Sequence, residues 1–239
     1  MGRAFEFRKA RKLKRWSTIS KTFTRLSKEI IISVKENGSD PSNNSKLRAL
    51  IQNAKAANMP KDNIERAIRK ANDNNTENYK EILFEGYGPH GAAILIETAT
   101  NNNNRTVANI RSYLNKSNGS LGTAGSVEFM FDHICNFRFR SEKIIPDEIE
   151  LEFIDYGVEE IEVENDEILI YASFNYFGSI QKALESKKIE IISSSFERIP
   201  KNMLYLNSEK LSEVLKLIEK IEADEDVQNV YSNVDLKNS

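Results

Sequence analysis

Residues 46–70, KLRALIQNAKAANMPKDNIERAIRK, carry two apolar stripes separated by a hard stop. Leu47, Leu50, Ile51 and Ala54 fall at i, i+3, i+4 and i+7, and Ile64, Ala67, Ile68 and Ala71 repeat that spacing, so each half is an amphipathic helix. Pro60 lacks a backbone donor, disfavours helix at Met59 and suits the first position of a new helix. Asp62 follows in the first turn, where a carboxylate offsets the helix dipole. The stretch reads as a helical hairpin.

Working back from it, Ile19, Phe23, Leu26, Ile30, Ile31 and Val34 make a third apolar face that ends at Asn37-Gly38, ahead of Ser39-Asp40-Pro41. Ahead of that helix, residues 1–18 hold seven basic residues, Arg3, Arg8, Lys9, Arg11, Lys12, Lys14 and Arg15, against one acid, Glu6. Phe5, Phe7 and Trp16 are interspersed. Basic groups neutralise phosphates and rings stack on unpaired bases, so the arm suits a nucleic acid; the plainer alternatives are a solubilising terminus or an Arg-rich transit segment. Within the hairpin, Asp62–Arg66 and Glu65–Arg69 have the i, i+4 spacing of pairs that merely support a helix. Lys46, Arg48, Lys55 and Lys61 have no such neighbour, which makes them, with the arm and Trp16, the candidate phosphate-contacting set.

The charge is divided along the chain. Up to Asn74 there are 18 Lys+Arg against 7 Asp+Glu, and beyond it 16 against 29, although the net charge is only −2. Such a split assigns the basic part to a polyanion and the acidic part elsewhere. With 239 residues, 39% of them apolar, the chain can form two or three small cores. No apolar run reaches the roughly 18 residues of a membrane span. One cysteine, Cys135, excludes an intrachain disulfide, so a cytoplasmic protein is expected.

Downstream of a polar linker at 72–78 the period changes from 3.6 to 2. Ile82–Tyr87 and Ala92–Thr98 are strands joined by the turn Gly88-Pro89-His90-Gly91; Val107, Ile110 and Leu114 mark a helix stopped at Asn118-Gly119; Val127–Phe131 reads as a further strand. Residues 134–198 follow the order βαββαβ: strand Ile134–Phe139, helix Pro146–Tyr156 ended by Gly157, strands Val158–Val163 and Ile168–Ala172, helix Tyr176–Lys187, strand Ile189–Phe196. That is the ferredoxin-like order. Leu204–Leu206, a helix through Leu211, Val214, Leu215, Ile218 and Ile221, and Val227–Tyr231 give one more βαβ, which lacks a partner sheet and is expected to complete the unit begun at residue 78. The fold class is α+β, with a basic helical domain (1–77), a discontinuous α+β domain (78–131 plus 202–239) and an acidic ferredoxin-like domain (132–201).

Catalytic patterns fare poorly. Gly86–Gly91 matches G-x-G-x-x-G, but a dinucleotide site needs a helix directly after it and a strand follows here. A kinase-type loop needs a lysine on the next strand, and none occurs between Lys80 and Arg105. The loop residues Tyr87, Pro89 and His90, with Asn104 and Arg105 from Asn101–Thr106, are kept as one shaped contact surface; turn glycines serving only backbone geometry are the alternative. His133 and Cys135, two apart on a strand, share a face, but a lone strand cysteine is ordinarily a small apolar residue. The eleven acids from Asp147 to Glu167 lack the ligand spacing of a calcium loop and read as a solvated face that turns from phosphate or meets basic protein. No cofactor, metal or small-molecule substrate is expected.

The sequence resembles the YebC/PmpR family, which also includes a mitochondrial translational activator. The matching residues are Leu47-Arg48-Ala49, Ala56 to Asp62, Ile64-Glu65-Arg66-Ala67-Ile68, Phe84 to Gly91, Asn104-Arg105-Thr106 within Thr100–Thr106, Leu121-Gly122-Thr123 and Gly125-Ser126-Val127. The start departs from the family's usual Gly-His-Ser-Lys-Trp, having Gly2-Arg3-Ala4-Phe5 and a later Trp16. The resemblance implies three domains, the middle one completed by the C-terminus, and a non-enzymatic regulator that binds DNA in transcription. Other members look like translation factors, which leaves ribosomal RNA and the ribosome as the alternative partner. A protein-interaction scaffold is the competing class.

Overall fold

The computed structural model describes residues 19–73, 78–140, 153–164 and 166–236. Three helices come first: α1 (Ile19–Asn37), α2 (Ser45–Ala56) and α3 (Lys61–Ala71). Their stripes converge as the spacing requires, burying Ile30, Leu47, Ala54, Ile64 and Ala67 in one core. Asn44 fixes the corner between α1 and α2. Its side-chain oxygen caps α2 through the Leu47 N–H (2.9 Å) and accepts from the Ser33 hydroxyl (3.1 Å), while its NH2 donates to the Ser33 and Gly38 carbonyls (both 2.9 Å). At the other end of α2, Asn58 takes a left-handed conformation (φ 58°). The Asn58 N–H bonds the Lys55 carbonyl and the Met59 N–H bonds the Ala54 carbonyl, a Schellman closure with Met59 buried behind it. Pro60 then stands at the N-cap of α3, one position earlier than the N1 site its sequence context suggests.

The next elements are β1 (Lys80–Tyr87), β2 (Ala93–Thr100), α4 (Asn103–Lys116) and the short β3 (Ser120–Leu121). Next come β4 (Phe131–Arg140), β5 (Val158–Glu164), β6 (Glu167–Ser173), α5 (Phe177–Ser186), β7 (Ile191–Pro200), α6 (Ser208–Glu222) and β8 (Val227–Ser232). They form two four-stranded sheets of order β3-β1-β2-β8 and β5-β6-β4-β7. The second is the ferredoxin-like order, antiparallel throughout, with α5 and Phe153 covering the face that carries Phe137, Ile168 and Ile170. In the first, α4 and α6 cover the face of Ile94 and Ile96. β8 pairs antiparallel with β2, so the C-terminal segment does fill that sheet's open edge.

Two strand expectations are corrected. Val127–Phe131 is not a strand: residues 128–130 form a 3₁₀ turn and Phe131 opens β4. The buried Glu85 carboxylate accepts the N–H groups of Gly125 (2.5 Å), Val127 (2.6 Å) and Glu128 (2.7 Å), so these donors are taken by a side chain and no ladder can form. Leu204–Leu206 contributes only a single parallel bridge, Leu204 to Val234. Of the acidic helix expected at 146–156, residues up to 152 lie outside the described ones; Ile154–Tyr156 are a 3₁₀ turn that Gly157 ends at φ 78°.

Asn44 bridges two helices as well as capping one, so Asn44→Ala is expected to lower the unfolding free energy by about 2–3 kcal/mol, above the ~1 kcal/mol typical of an N-cap. Denaturant melts would show it; a loss below about 0.5 kcal/mol would mean the corner is held by packing alone.

Candidate nucleic-acid interface

The four hairpin cations selected by sequence have separate fates. Lys46, at the start of α2, reaches Glu81 of β1 (2.8 Å) and Glu36 of α1 (3.6 Å). Burial works against its charge, but the Glu81 contact prevails and raises its pKa. Arg48 grips Glu185 at the end of α5 through two nitrogens (2.7 and 3.3 Å), and donates to the carbonyls of Pro41 and Ser42. Both side chains were selected for having no carboxylate neighbour on their own helix; each has one supplied by a distant element, which removes it from the free phosphate-contacting set. Lys61, expected to have no i, i+4 partner, does have one in Glu65 at 3.6 Å, though it stays 87% exposed, and Lys55 is exposed at the end of α2.

The hairpin pairs expected at Asp62–Arg66 and Glu65–Arg69 do not form; Glu65 turns back to Lys61. Arg66 and Arg69 lie exposed opposite the buried Ile64, Ala67 and Ala71, with no carboxylate in reach among the described residues. An exposed helix pair gains only ~0.3–0.5 kcal/mol, too little for spacing alone to dictate partners. The exposed basic residues of the hairpin are Lys55, Lys61, Arg66, Arg69 and Lys70, and the first four are the candidate phosphate contacts. The arm residues Arg3, Arg8, Lys9, Arg11, Lys12, Lys14, Arg15 and Trp16 lie outside the described residues.

The expected single contact surface is divided. Tyr87 faces Ala93 at one end of the β1–β2 hairpin, and Lys80 faces Thr100 at the other. The Pro89–His90 turn and the Asn104–Arg105 segment thus sit at opposite ends of eight-residue strands, about 24 Å apart. At the turn, Pro89 is buried, His90 adopts φ 61° and its Nε2 lies 2.9 Å from Glu213 of α6, and the Tyr87 hydroxyl donates to the Ser126 carbonyl (3.2 Å). At the far end, Asn104 is exposed but Arg105 donates to Asp226 (2.7 Å).

Asp226, in the turn before β8, is the residue that sequence reasoning missed. Its carboxylate also accepts from Thr100 (3.1 Å), Thr106 (2.8 Å) and the Lys28 ammonium of α1 (3.3 Å). Lys28 further donates to the carbonyls of Glu225 (2.7 Å) and Ala99 (3.2 Å). Burial would raise the Asp226 pKa; the bonds from Arg105, Thr106 and Lys28 overcome that and hold it low. No local periodicity signals a pair 198 residues apart. A second tie runs from Arg198 of β7 to Glu128 (2.9 Å) and Glu97 of β2 (3.5 Å). A third joins α2 to the edge strand β7: the Asn53 side chain donates to the Ser194 carbonyl (2.6 Å) and accepts its N–H (2.9 Å).

The thiol–imidazole pair has no catalytic arrangement. Burial pushes the Cys135 thiol up to about 12, and burial with the nearby Arg198 charge pushes His133 down to about 4, its ring stacked on Phe174 at 4.1 Å. Among the described residues no group of His, Cys, Asp and Glu could hold a metal ion, and no helix is long and apolar enough to cross a membrane.

A helical unit with an exposed basic face, joined to two four-stranded antiparallel sheets, is an architecture already seen in a crystal structure. A conserved hypothetical protein of Aquifex aeolicus superposes with a TM-score of 0.75 at 31% identity, over 90% of each chain. The TACO1/YebC N-terminal domain model matches residues 3–74, and that of the TACO1/YebC second and third domain matches residues 79–234. The chain belongs to the TACO1/YebC family. Its relatives include a probable transcriptional regulatory protein of Flavobacterium psychrophilum, 65% identical over 97% of this chain and 98% of the relative. Another, of the same description, is from Myxococcus xanthus, 46% identical over 98% and 100%. These names are regulatory rather than catalytic.

Glu29 on α1 gives the helical unit a pH dependence. Burial, then Glu81 and Glu97, push its pKa from 4.5 up to about 7 against the opposing charges of Lys46 and Arg25. The folded state holds this proton more tightly than the unfolded chain, so stability from Glu29 is present below pH 4.5 and lost as pH rises through 7. Glu29→Gln is expected to stabilise the protein at pH 8, by on the order of 2 kcal/mol, and to flatten the pH profile of unfolding between pH 5 and 8. An unchanged profile would show that Glu29 is solvated in the folded protein.

Proposed function

We propose that this protein is a non-enzymatic, cytoplasmic, DNA-binding transcriptional regulator. Nucleic acid docks on the exposed face of the helical hairpin, at Lys55, Lys61, Arg66 and Arg69, and the basic residues of the arm add charge to that binding. The observation that carries this reading is the division of the hairpin's charge. Lys46 and Arg48 are neutralised by Glu81 of β1 and Glu185 of α5, while Arg66 and Arg69 point to solvent with no carboxylate in reach among the described residues. Exposed cations on one helix face, in a chain whose acids lie mostly after residue 74, fit a phosphate backbone. The relatives' description as probable transcriptional regulatory proteins supports DNA as the ligand. The ribosomal-RNA reading has its own support in the Phe5, Phe7 and Trp16 rings of the arm, which suit unpaired bases.

Binding measured against salt tests the electrostatic reading. Arg66→Ala and Arg69→Ala should each flatten the slope of log affinity against log salt by about one, while Arg48→Ala should leave the slope intact and cost stability instead. A slope of zero for the parent protein would leave the scaffold reading. Crosslinking in living cells then separates the ligands: recurrent promoter DNA supports the transcriptional role, and one cluster of ribosomal RNA positions replaces it with translation.

A further inference from the structure

The second sheet has one closed edge and one open edge. At β7 the Asn53 side chain bonds both the N–H and the carbonyl of Ser194. At β5 no strand lies on the outer side among the described residues. An edge strand directs alternate N–H and C=O groups away from its sheet, where they form a template for another strand. Glu159 makes a bulge, but from Glu160 to Glu164 the register against β6 is regular, which leaves about 13 Å of straight edge. The strand carries four acids, and no lysine, arginine or proline shields it.

Residues paired across a ladder share a face. Ile161 and Val163 lie opposite Ile170 and Ile168, on the face that α5 and Phe153 cover; Glu160 and Glu162 lie opposite Tyr171 and Leu169, on the other face. Val163 is 55% exposed. Just ahead of the strand Ile154 is 62% exposed, Tyr156 is also exposed, and the Tyr176 ring fills the place that a side chain at Gly157 would take. On the acidic face Glu162 accepts from the Tyr171 hydroxyl (3.1 Å), whereas Glu160 Oε1 is buried and accepts no hydrogen bond among the described residues. A buried carboxylate oxygen without a donor is disfavoured, and a cation seated beside it supplies one.

This pattern defines the occupant. A second copy of β5 would set glutamate beside glutamate, and a nucleic acid would bring phosphates to the same carboxylates; both repel. A strand that alternates basic and apolar residues lays its cations along Glu160 and Glu162 and its apolar side chains along Ile161 and Val163. We propose that β5 is a docking edge for an extended basic segment of a partner protein, which adds to the second sheet as a fifth strand. Ile154 and Tyr156 extend the apolar contact at one end. This surface goes beyond the nucleic-acid reading: the hairpin takes phosphates, and the β5 edge takes a cationic polypeptide.

Binding of the full chain to labelled ten-residue peptides with blocked ends tests the proposal. The probe alternates lysine and valine, and two further peptides carry N-methyl groups on the lysines only or on the valines only. In a strand the N–H groups of one alternate series face one edge, so one methylated peptide should bind at least about tenfold more weakly than the probe and the other should match it. Equal affinities for the two methylated peptides overturn strand addition, and failure to bind the probe overturns the docking edge altogether. Glu159→Lys with Glu160→Lys, and separately Val163→Lys, should each weaken the probe at least about tenfold. No change in either variant removes β5 as the site. Arg66→Ala with Arg69→Ala should leave peptide affinity unchanged; a matching loss would move the site to the helical unit. Self-association of the protein that Val163→Lys abolishes would assign the edge to a second copy. Tighter binding of a peptide of residues 3–16 than of the probe would assign it to the chain's own arm, and either result overturns the partner. Glu159 and Val163 are exposed, so their variants should unfold at the parent's temperature.

Discussion

A carboxylate buried in a turn sets the arrangement of this molecule. Asp226 is 3% exposed, and an ion so placed persists only if its surroundings replace the water it has lost. The replacement comes from three directions: Lys28 of the first helix, Thr100 at the end of β2, and Arg105 with Thr106 at the start of α4. Each donor belongs to an element that could otherwise slide. With Lys28 committed to Asp226 and to the Ala99 and Glu225 carbonyls, α1 has one seat against the first sheet. Arg25 adds a bond to the last carbonyl of α6, at Glu222.

That seat determines which basic groups face outward. Fixing α1 fixes α2, whose Lys46 and Arg48 then meet carboxylates of β1 and α5, and whose Asn53 closes the edge of β7. The basic helices thus lie against acidic partners on one side and present α3 on the other. The acidic sheet, which would repel a phosphate backbone, is in part neutralised from within through Arg48. Arg198, tied to Glu97 and Glu128, performs the equivalent joining between the two sheets. The interfaces between units are largely charged and hydrogen-bonded, although Ala49 of α2 packs into the apolar core of the second sheet unit.

Most elements were legible in the sequence because burial imposes a period, 3.6 for α1 to α6 and 2 for the longer strands, whereas the two residues of β3 are too few to show one. The ferredoxin-like order and the return of β8 could be read in the same way, from elements in need of partners. Long-range polar contacts leave no period. Nothing local distinguishes Asp226 from Asp224 or Glu225, or Lys28 from the other lysines of the first helix. For the same reason the spacing of Arg66 and Arg69 suggested ion pairs that do not form, and the spacing of Lys46 and Arg48 concealed ones that do. The Val127–Phe131 error is of another kind: the run has strand-like side chains, but Glu85, more than forty positions upstream in the chain, has taken its backbone donors. Several residues that carry the family resemblance, Glu85, Arg105 and Thr106 among them, are engaged in holding loops and units together.

The position of β8 has a consequence for the order in which the protein is made. The helical bundle and the whole second sheet are encoded before residue 201, but the first sheet waits for β8, and Lys28 waits for Asp226, until residues 226–232 have left the ribosome. Until then β2 presents an open edge, and α1 carries a cation with no counter-ion in its seat. The step that joins the pieces therefore follows the synthesis of the helical bundle and the second sheet, and a product terminated before β8 would lack the link that orients them.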